Sequence, residues 1–368
     1  MKVILSGGGT GGHIYPALAI AEALKRQVPK VDILYVGTEN GLEKQIVPRA
    51  GYAFETIKVS GIDRSSWLKA AFALGKTPLS LKQAWDILKA FKPDIVIGTG
   101  GYVSFPIVYA ASYYAGCKTY FHEQNAKLGL ANRRLAERVD GAFLTFAEAG
   151  ADIQPEKVRI TGLPVRKEMV DNYWQGKDVV KDYKERPFQV LVFGGSRGAD
   201  SINNAMLDLL DKHSDTELSF NWITGTCHYE DIISAVNKIS DKRGQLNVSV
   251  SPYLYEMGAA MSSAHLAVCR AGAGTISELM LSGLPAILVP YPYAAEGHQE
   301  KNARALKEKN AVHMIIDDFL DGDTLFTAVK ALLHDEKRLH NMRAQLLKEA
   351  KPNALQDILA TVLVPHYT

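Results

Sequence analysis

Val3-Ile4-Leu5-Ser6-Gly7-Gly8-Gly9-Thr10-Gly11-Gly12-His13, followed by a helical run at residues 16–24, decides the fold. A short β-branched strand runs into glycines and out into a helix, the opening of a parallel-sheet unit that binds phosphates at its loop. The same grammar returns at Val190-Leu191-Val192-Phe193-Gly194-Gly195-Ser196, ahead of a helical run at 202–210. Around these openings short apolar runs alternate with amphipathic ones: 2–6, 33–37, 95–98 and 119–123, then 189–193, 219–224, 247–251, 266–269 and 286–290. Such alternation builds βαβα crossovers. The expected architecture is α/β, with two Rossmann-like doubly wound parallel-sheet domains: 1–164, then 165–347, with the polar stretch 171–187 near the join. A last helix, from about 348 to 368, is expected to pack back onto the first domain. Ligands of open α/β sheets sit beyond the carboxyl ends of the strands, which places the expected site in a cleft between the domains.

Composition narrows the function. At 368 residues, 47% hydrophobic and 22% charged, the chain reads as globular protein with room for two cores. Lys+Arg 42 against Asp+Glu 40 leaves +2, which argues against nucleic acid as a partner. Cys117, Cys227 and Cys269 match no zinc spacing and read as reduced thiols. No apolar run reaches the ~18–20 residues of a membrane span, and Val3-Ile4-Leu5 is too short for a signal-peptide core. A soluble or surface-bound protein is expected.

Five motifs carry chemistry. In residues 6–13, Gly7, Gly9 and Gly12 fit G-x-G-x-x-G, and the following helix aims its amide dipoles at an anion. His13 ends this loop as a candidate general base, since histidine titrates near neutral pH. Gly194-Gly195-Ser196-Arg197-Gly198 repeats the device, with the Ser196 hydroxyl as a phosphate donor. Arg270-Ala-Gly-Ala-Gly-Thr275-Ile-Ser277-Glu278 leaves a strand and opens a helix, so Gly274, Thr275 and Ile276 are expected to offer N–H groups to a phosphate. Glu278 reads either as acceptor for both hydroxyls of a ribose or as an N3 capping glutamate. The fourth motif, Tyr291-Pro-Tyr293 with residues 296–303, places Gln299 where a sugar needs an amide. The fifth, His122-Glu-Gln-Asn125, offers Asn125 as donor and acceptor. Asp321-Gly-Asp323 resembles a D-x-D metal clamp, but it precedes a helical run, so Asp323 is expected to be an N-cap and no metal is assigned.

Together with Gly100-Gly-Tyr-Val-Ser-Phe-Pro106, these motifs occur in the order found in the MurG family, and the resemblance runs from Met1 to about Ala303. It implies the GT-B fold and an inverting, metal-independent transfer of N-acetylglucosamine from UDP-N-acetylglucosamine to the 4-hydroxyl of lipid-linked N-acetylmuramyl-pentapeptide. It implies no cofactor. Leu254 is then expected to meet uracil through its backbone, with Arg166 nearby and Glu278 on the ribose. Ser196 and the helix start at Gly274 and Thr275 would hold the diphosphate. Gln299 and Asn125 would read the sugar, Thr10, Gly11 and Gly12 would line the same site, and Gly8 and Gly9 would face the acceptor's diphosphate. His13 is the expected base, with an acidic residue or solvent as alternatives. Some members carry two adjacent glutamines where this chain has His298-Gln299, which leaves His298 without a role.

The acceptor is lipid-linked, so the resemblance also implies the cytoplasmic face of the bacterial membrane, among other cell-wall and division proteins. Trp67, Leu68 and Phe72, interleaved with lysines, suit an interfacial patch or an ordinary core-facing helix. Two rivals stand beside this reading. A nicotinamide-dependent oxidoreductase would use the first glycine loop with Glu39 as ribose acid, and a non-catalytic subunit would bind the UDP-sugar without turnover.

Overall fold

The computed structural model describes residues 1–59, 77–176, 182–184, 186–195, 198–213, 217–244 and 246–363. It divides into two compact units, Met1–Val165 with Asn353–Thr368, and Arg166–Pro352.

The first unit is built on β1 (Lys2–Gly7), β2 (Asp32–Gly37), β3 (Ala53–Thr56), β4 (Ile95–Gly100), β5 (Lys118–Glu123), β6 (Gly141–Leu144) and β7 (Val158–Ile160). All pair in parallel, in the order β3-β2-β1-β4-β5-β6-β7. The order reverses between β1 and β4, the point where two neighbouring loops diverge and leave room for a ligand. β1 and β4 are buried on both faces, which is why they read as unbroken apolar runs. Ile4, Val36, Val96 and Phe121 feed one core layer, while Val3, Leu5, Tyr35 and Ile97 feed the other. The helix Gly11–Gln27 buries Ile14, Ala17, Ile20, Ala21 and Leu24, a helical stripe, in the second layer.

That helix starts five residues before the expected residue 16. Glycine accepts helical torsions, so Gly11 and Gly12 form its first turn, and Pro16 sits inside it. Proline has no N–H for the Gly12 carbonyl, which leaves an acceptor beside the helix start. The helix Ala354–Leu363 packs Ile358, Leu359 and Val362 into the same layer. Lys348, where that helix was expected to begin, lies in the preceding helix Glu336–Glu349 of the second unit.

The second unit repeats the plan with β8 (Phe188–Phe193), β9 (Leu218–Ile223), β10 (Val248–Ser251), β11 (Leu266–Cys269), β12 (Ala286–Leu288) and β13 (His313–Met314). The order is β10-β9-β8-β11-β12-β13, again parallel, with its reversal between β8 and β11. Val190, Val192, Trp222, Val268 and Ile287 form the sheet side of its core, with Leu209 and Leu325 from covering helices. Asp321, not Asp323, caps the helix Gly322–Leu333: its carboxylate accepts the Thr324 N–H at 2.7 Å. Asp323 falls within the first turn and pairs with Lys212 and His213, both at 2.8 Å. The D-x-D spacing is thus accounted for by one cap and one ion-pair acceptor.

Candidate active site

In the first unit the loops after β1, β4 and β5 meet at the reversal point. The His13 imidazole Nδ1 lies 2.9 Å from the Gly8 carbonyl and 3.5 Å from the Thr10 hydroxyl. A carbonyl is acceptor-only, so Nδ1 carries the proton and Nε2 keeps its lone pair, the tautomer a base needs. The His13 carbonyl accepts the Thr99 hydroxyl at 2.7 Å. Gly100 stands beside the ring: a Cβ there would sit 3.0 Å from Nε2, and its φ of +106° already favours glycine. His13 therefore belongs to the first helical turn and not to the end of the loop.

Gly8 and Gly9 turn their amides inward. Gly8 is buried, and its N–H donates to the Gly100 carbonyl at 3.4 Å. The Gly9 N–H donates to Glu43 Oε2 at 3.2 Å. Both amides are engaged inside the protein. Among the described residues the amides of Gly11 and Gly12, the first two positions of the helix, have no partner, and the Thr10 side chain makes no capping bond.

After β5, the buried Glu123 carboxylate organises the next loop. It accepts the backbone and side-chain N–H groups of Asn125 at 3.1 and 3.0 Å, the Gly129 N–H at 2.9 Å and the Asn132 amide at 2.9 Å. Asn125 is thus held by a carboxylate on its donor side. His122 is fully enclosed: Nε2 donates to the Gly162 carbonyl at 2.8 Å and Nδ1 accepts from Gln124 at 3.1 Å. Burial holds its imidazole below the ordinary histidine value, despite the opposing pull of the Gly162 carbonyl and Glu123. His122 is a neutral pin.

In the second unit the helix Ala273–Ser282 begins at Gly272, which has no side chain to cap it. The Ile276 N–H already bonds the Gly272 carbonyl at 3.0 Å, so the amides without a partner among the described residues are those of Ala273, Gly274 and Thr275, one position earlier than expected. No described atom outside its own helix and chain neighbours lies within 4 Å of a Cβ built at Gly274. The other end of the helix is fixed. Gly283 takes φ +57°, and Arg343 donates to the carbonyls of Ser282 and Gly283 at 3.2 Å. Glu278 lies in the second turn, which removes the N3-cap alternative. It is 9% exposed and pairs with Arg166 at 3.1 Å. Burial pushes its carboxyl above the ordinary glutamate range, Arg166 pulls the other way, and Glu168 adds to the rise.

The remaining donor-side candidates separate clearly. Leu254 sits in the loop after β10, and neither its N–H nor its carbonyl has a partner among the described residues. Gln299 turns its carbonyl inward to the N–H groups of Ala271 and Tyr291, at 3.2 and 3.0 Å, which leaves its amide donors outward. Arg270 is a strut, bonding the Val289 and Pro290 carbonyls, Asp317 and Ser201. In the loop after β8, Gly198 is obligatory, since a Cβ there would lie 2.2 Å from the Thr224 carbonyl. Ser196 lies outside the described residues, as do Trp67, Leu68 and Phe72.

With this geometry in place, comparison with known proteins decides the family. The family model "Glycosyltransferase family 28 N-terminal domain" matches residues 3–144, and its C-terminal counterpart matches 189–358. A protein of Desulforamulus reducens is 43% identical over 366 residues, 98% of each chain. A Listeria monocytogenes protein is 40% identical over 367 residues, 99% of each chain. Both are named UDP-N-acetylglucosamine--N-acetylmuramyl-(pentapeptide) pyrophosphoryl-undecaprenol N-acetylglucosamine transferase. The chain belongs to the MurG family.

The crystal structure of Acinetobacter baumannii MurG superposes with a TM-score of 0.81 at 25% identity, covering 99% of both chains. The calicheamicin glycosyltransferase CalG4, at 14% identity and TM-score 0.69 over 100% of this chain and 99% of its own, shares the fold alone. MurG membership displaces the nicotinamide reading, and the structure shows why its motif misled. Glu39 is exposed, and the acid that matters to this loop is Glu43, buried four residues on. Glu43 escapes a sequence reading because it resembles any acidic residue at a helix start. Its one signal is the pair of glycines at 37 and 41, whose missing side chains make room for it.

Proposed function

We propose that this chain transfers N-acetylglucosamine from UDP-N-acetylglucosamine to the 4-hydroxyl of lipid-linked N-acetylmuramyl-pentapeptide, with inversion at the anomeric carbon. Full-length identity to proteins of that name carries the reading. Site geometry supports the division of roles. The open helix end at Ala273, Gly274 and Thr275 receives the UDP diphosphate, with Ser196 contributing its hydroxyl. Glu278 accepts the ribose hydroxyls, Arg166 opposes the effect of burial on that carboxyl, and the Leu254 backbone reads uracil.

Gln299 donates its outward amide to the sugar, Asn125 reads a second hydroxyl, and Thr10, Gly11 and Gly12 present the amides of the first unit. His13 Nε2 removes the proton of the attacking hydroxyl. The negative charge that develops on the leaving UDP is stabilised by helix N-terminal amides already aimed at it. Such preorganised donors need no rearrangement during the reaction.

The acceptor's lipid anchor requires the enzyme to work at a membrane surface. No described helix is long and apolar enough to cross a membrane. Peripheral attachment at the cytoplasmic face, through the segment containing Trp67, Leu68 and Phe72 and near other wall-building and division proteins, fits both points. The test is transfer of labelled N-acetylglucosamine to lipid-linked muramyl-pentapeptide in vesicles. Label in the lipid fraction is expected, and hydrolysis of the donor without lipid labelling would refute the proposal.

A further inference from the structure

We propose that Glu43 is a positioning residue for His13, acting through the single peptide that joins Gly8 to Gly9. The proposal rests on the reading of His13 as the base. That peptide is bonded at both ends: its N–H, on Gly9, donates to Glu43 Oε2 at 3.2 Å, and its carbonyl, on Gly8, accepts from His13 Nδ1 at 2.9 Å. One rigid amide plane therefore links a buried carboxylate to the imidazole.

The surroundings are built for this carboxylate. Glu43 is 0% exposed. A Cβ at Gly8 would come within 2.5 Å of its Oε1, at Gly41 within 2.1 Å of the same atom, and at Gly37 within 2.6 Å of its Cγ. Glycines from two loops clear the space for one side chain. Its remaining partners are the Thr38 N–H at 3.1 Å and the Thr38 hydroxyl at 2.7 Å, so three donors converge on it, the pattern of an acceptor-only carboxylate. No ion pair engages it among the described residues. A buried carboxylate without a cation is a poor device for stability, since a packed apolar side chain would serve better.

Its effect on chemistry is direct. Donating an N–H to an anion polarises the peptide and enriches its carbonyl. The Gly8 carbonyl then holds Nδ1–H more firmly and stabilises the imidazolium that forms when Nε2 accepts the hydroxyl proton. The titratable neighbours are two phenols. The Tyr35 hydroxyl donates to the Gly7 carbonyl at 2.7 Å, and both Tyr35 and Tyr102 are pushed up first by burial and then by Glu43. Both phenols are held in the protonated form, which leaves the Glu43 carboxylate as the acidic group bonded to this peptide.

The test is a cycle of E43Q, H13A and the double variant, read by transfer kinetics and by 15N NMR of His13. Glutamine is isosteric, but whichever way its amide lies it sets an NH2 against a loop or Thr38 N–H. Expected results are a loss of roughly 10²-fold or more in kcat for H13A and about 10-fold for E43Q. The donor KM should hold within about 2-fold, since it reports binding and not proton transfer. E43Q should add nothing in the H13A background, and it should shift the imidazole away from its Nδ1–H tautomer. E43D, which keeps the charge, should restore part of the rate and serves if E43Q does not fold. Wild-type kcat in E43Q, or an equal loss with and without His13, overturns the role of Glu43 and leaves the base reading standing. Wild-type kcat in H13A removes the base reading, and unchanged 15N shifts in E43Q would then overturn the coupling as well.

Discussion

The glycine loop after β1 and the one after β11 share a sequence signature and use it in opposite ways. In the first, backbone groups are tied to buried side chains: Gly9 to Glu43, the Gly7 carbonyl to Tyr35, the Gly8 carbonyl to His13. Its glycines let backbone lie on backbone and steer one imidazole. In the second, the helix start at Gly272 is bare and Gly274 faces open space, while rigidity comes from Arg270 behind it and Arg343 at the far end. Its glycines leave amides without a partner among the described residues. Glycine richness says that backbone is approached closely, and the partner, side chain or ligand, has to be found in the fold.

The largest effect is expected where the first loop is most enclosed. Gly101 has φ +78°, and a Cβ there would lie 2.4 Å from the Gly8 carbonyl. Gly101→Ala should lower stability by about 2–4 kcal/mol in urea titration. An unchanged midpoint would show that this loop is as open as its counterpart.

Glu278→Gln comes next and sharpens the donor side. Loss of a charged acceptor for two hydroxyls should weaken UDP binding by about 1.5–3 kcal/mol. The pH dependence follows from its raised carboxyl. UDP affinity of the wild type should fall as pH drops through a value above the ordinary glutamate range, and the variant should lack that limb. A raised folded-state value also means that ionisation opposes folding: the contribution of Glu278 to stability is present at low pH and lost as pH rises through that value. Without nucleotide, E278Q should therefore melt higher than wild type at neutral pH. A variant that both melts lower and binds UDP normally would assign Glu278 to structure alone.

Gly274→Asp probes the vacant amides with a like charge. No described atom crowds that position, so the protein should fold normally, while UDP affinity drops by about 1–2 kcal/mol, the upper range for a charge at a helix N-terminus. Normal affinity would move the diphosphate elsewhere. The smallest effect belongs to Arg343→Met, which removes two hydrogen bonds from the far end of that helix. About 1 kcal/mol of stability should be lost with little change in UDP affinity, and a large change in affinity would mean that the helix end is tuned from behind.

The two doubly wound sheets were legible because strands buried on both faces, such as β1 and β4, write continuous apolar runs separated by helices. The second strand-to-helix turn was legible too, since Gly274, Thr275 and Glu278 fall in one contiguous motif. What escaped depends on bonds across sequence distance. Residues 9 and 43 meet only after β2 has formed beside β1. Whether Gly8 and Gly9 keep their amides vacant is decided by Gly100 and Glu43, and no spacing rule within the loop contains either. The choice between Asp321 and Asp323 as helix cap turned on a helix start earlier than the apolar pattern shows.

The division of labour between the loops is tested most directly by calorimetric titration of UDP into H13A beside E278Q. Wild-type UDP affinity is expected in H13A and a loss of roughly 10-fold or more in E278Q. Equal losses in the two variants, or a loss confined to H13A, would contradict that division.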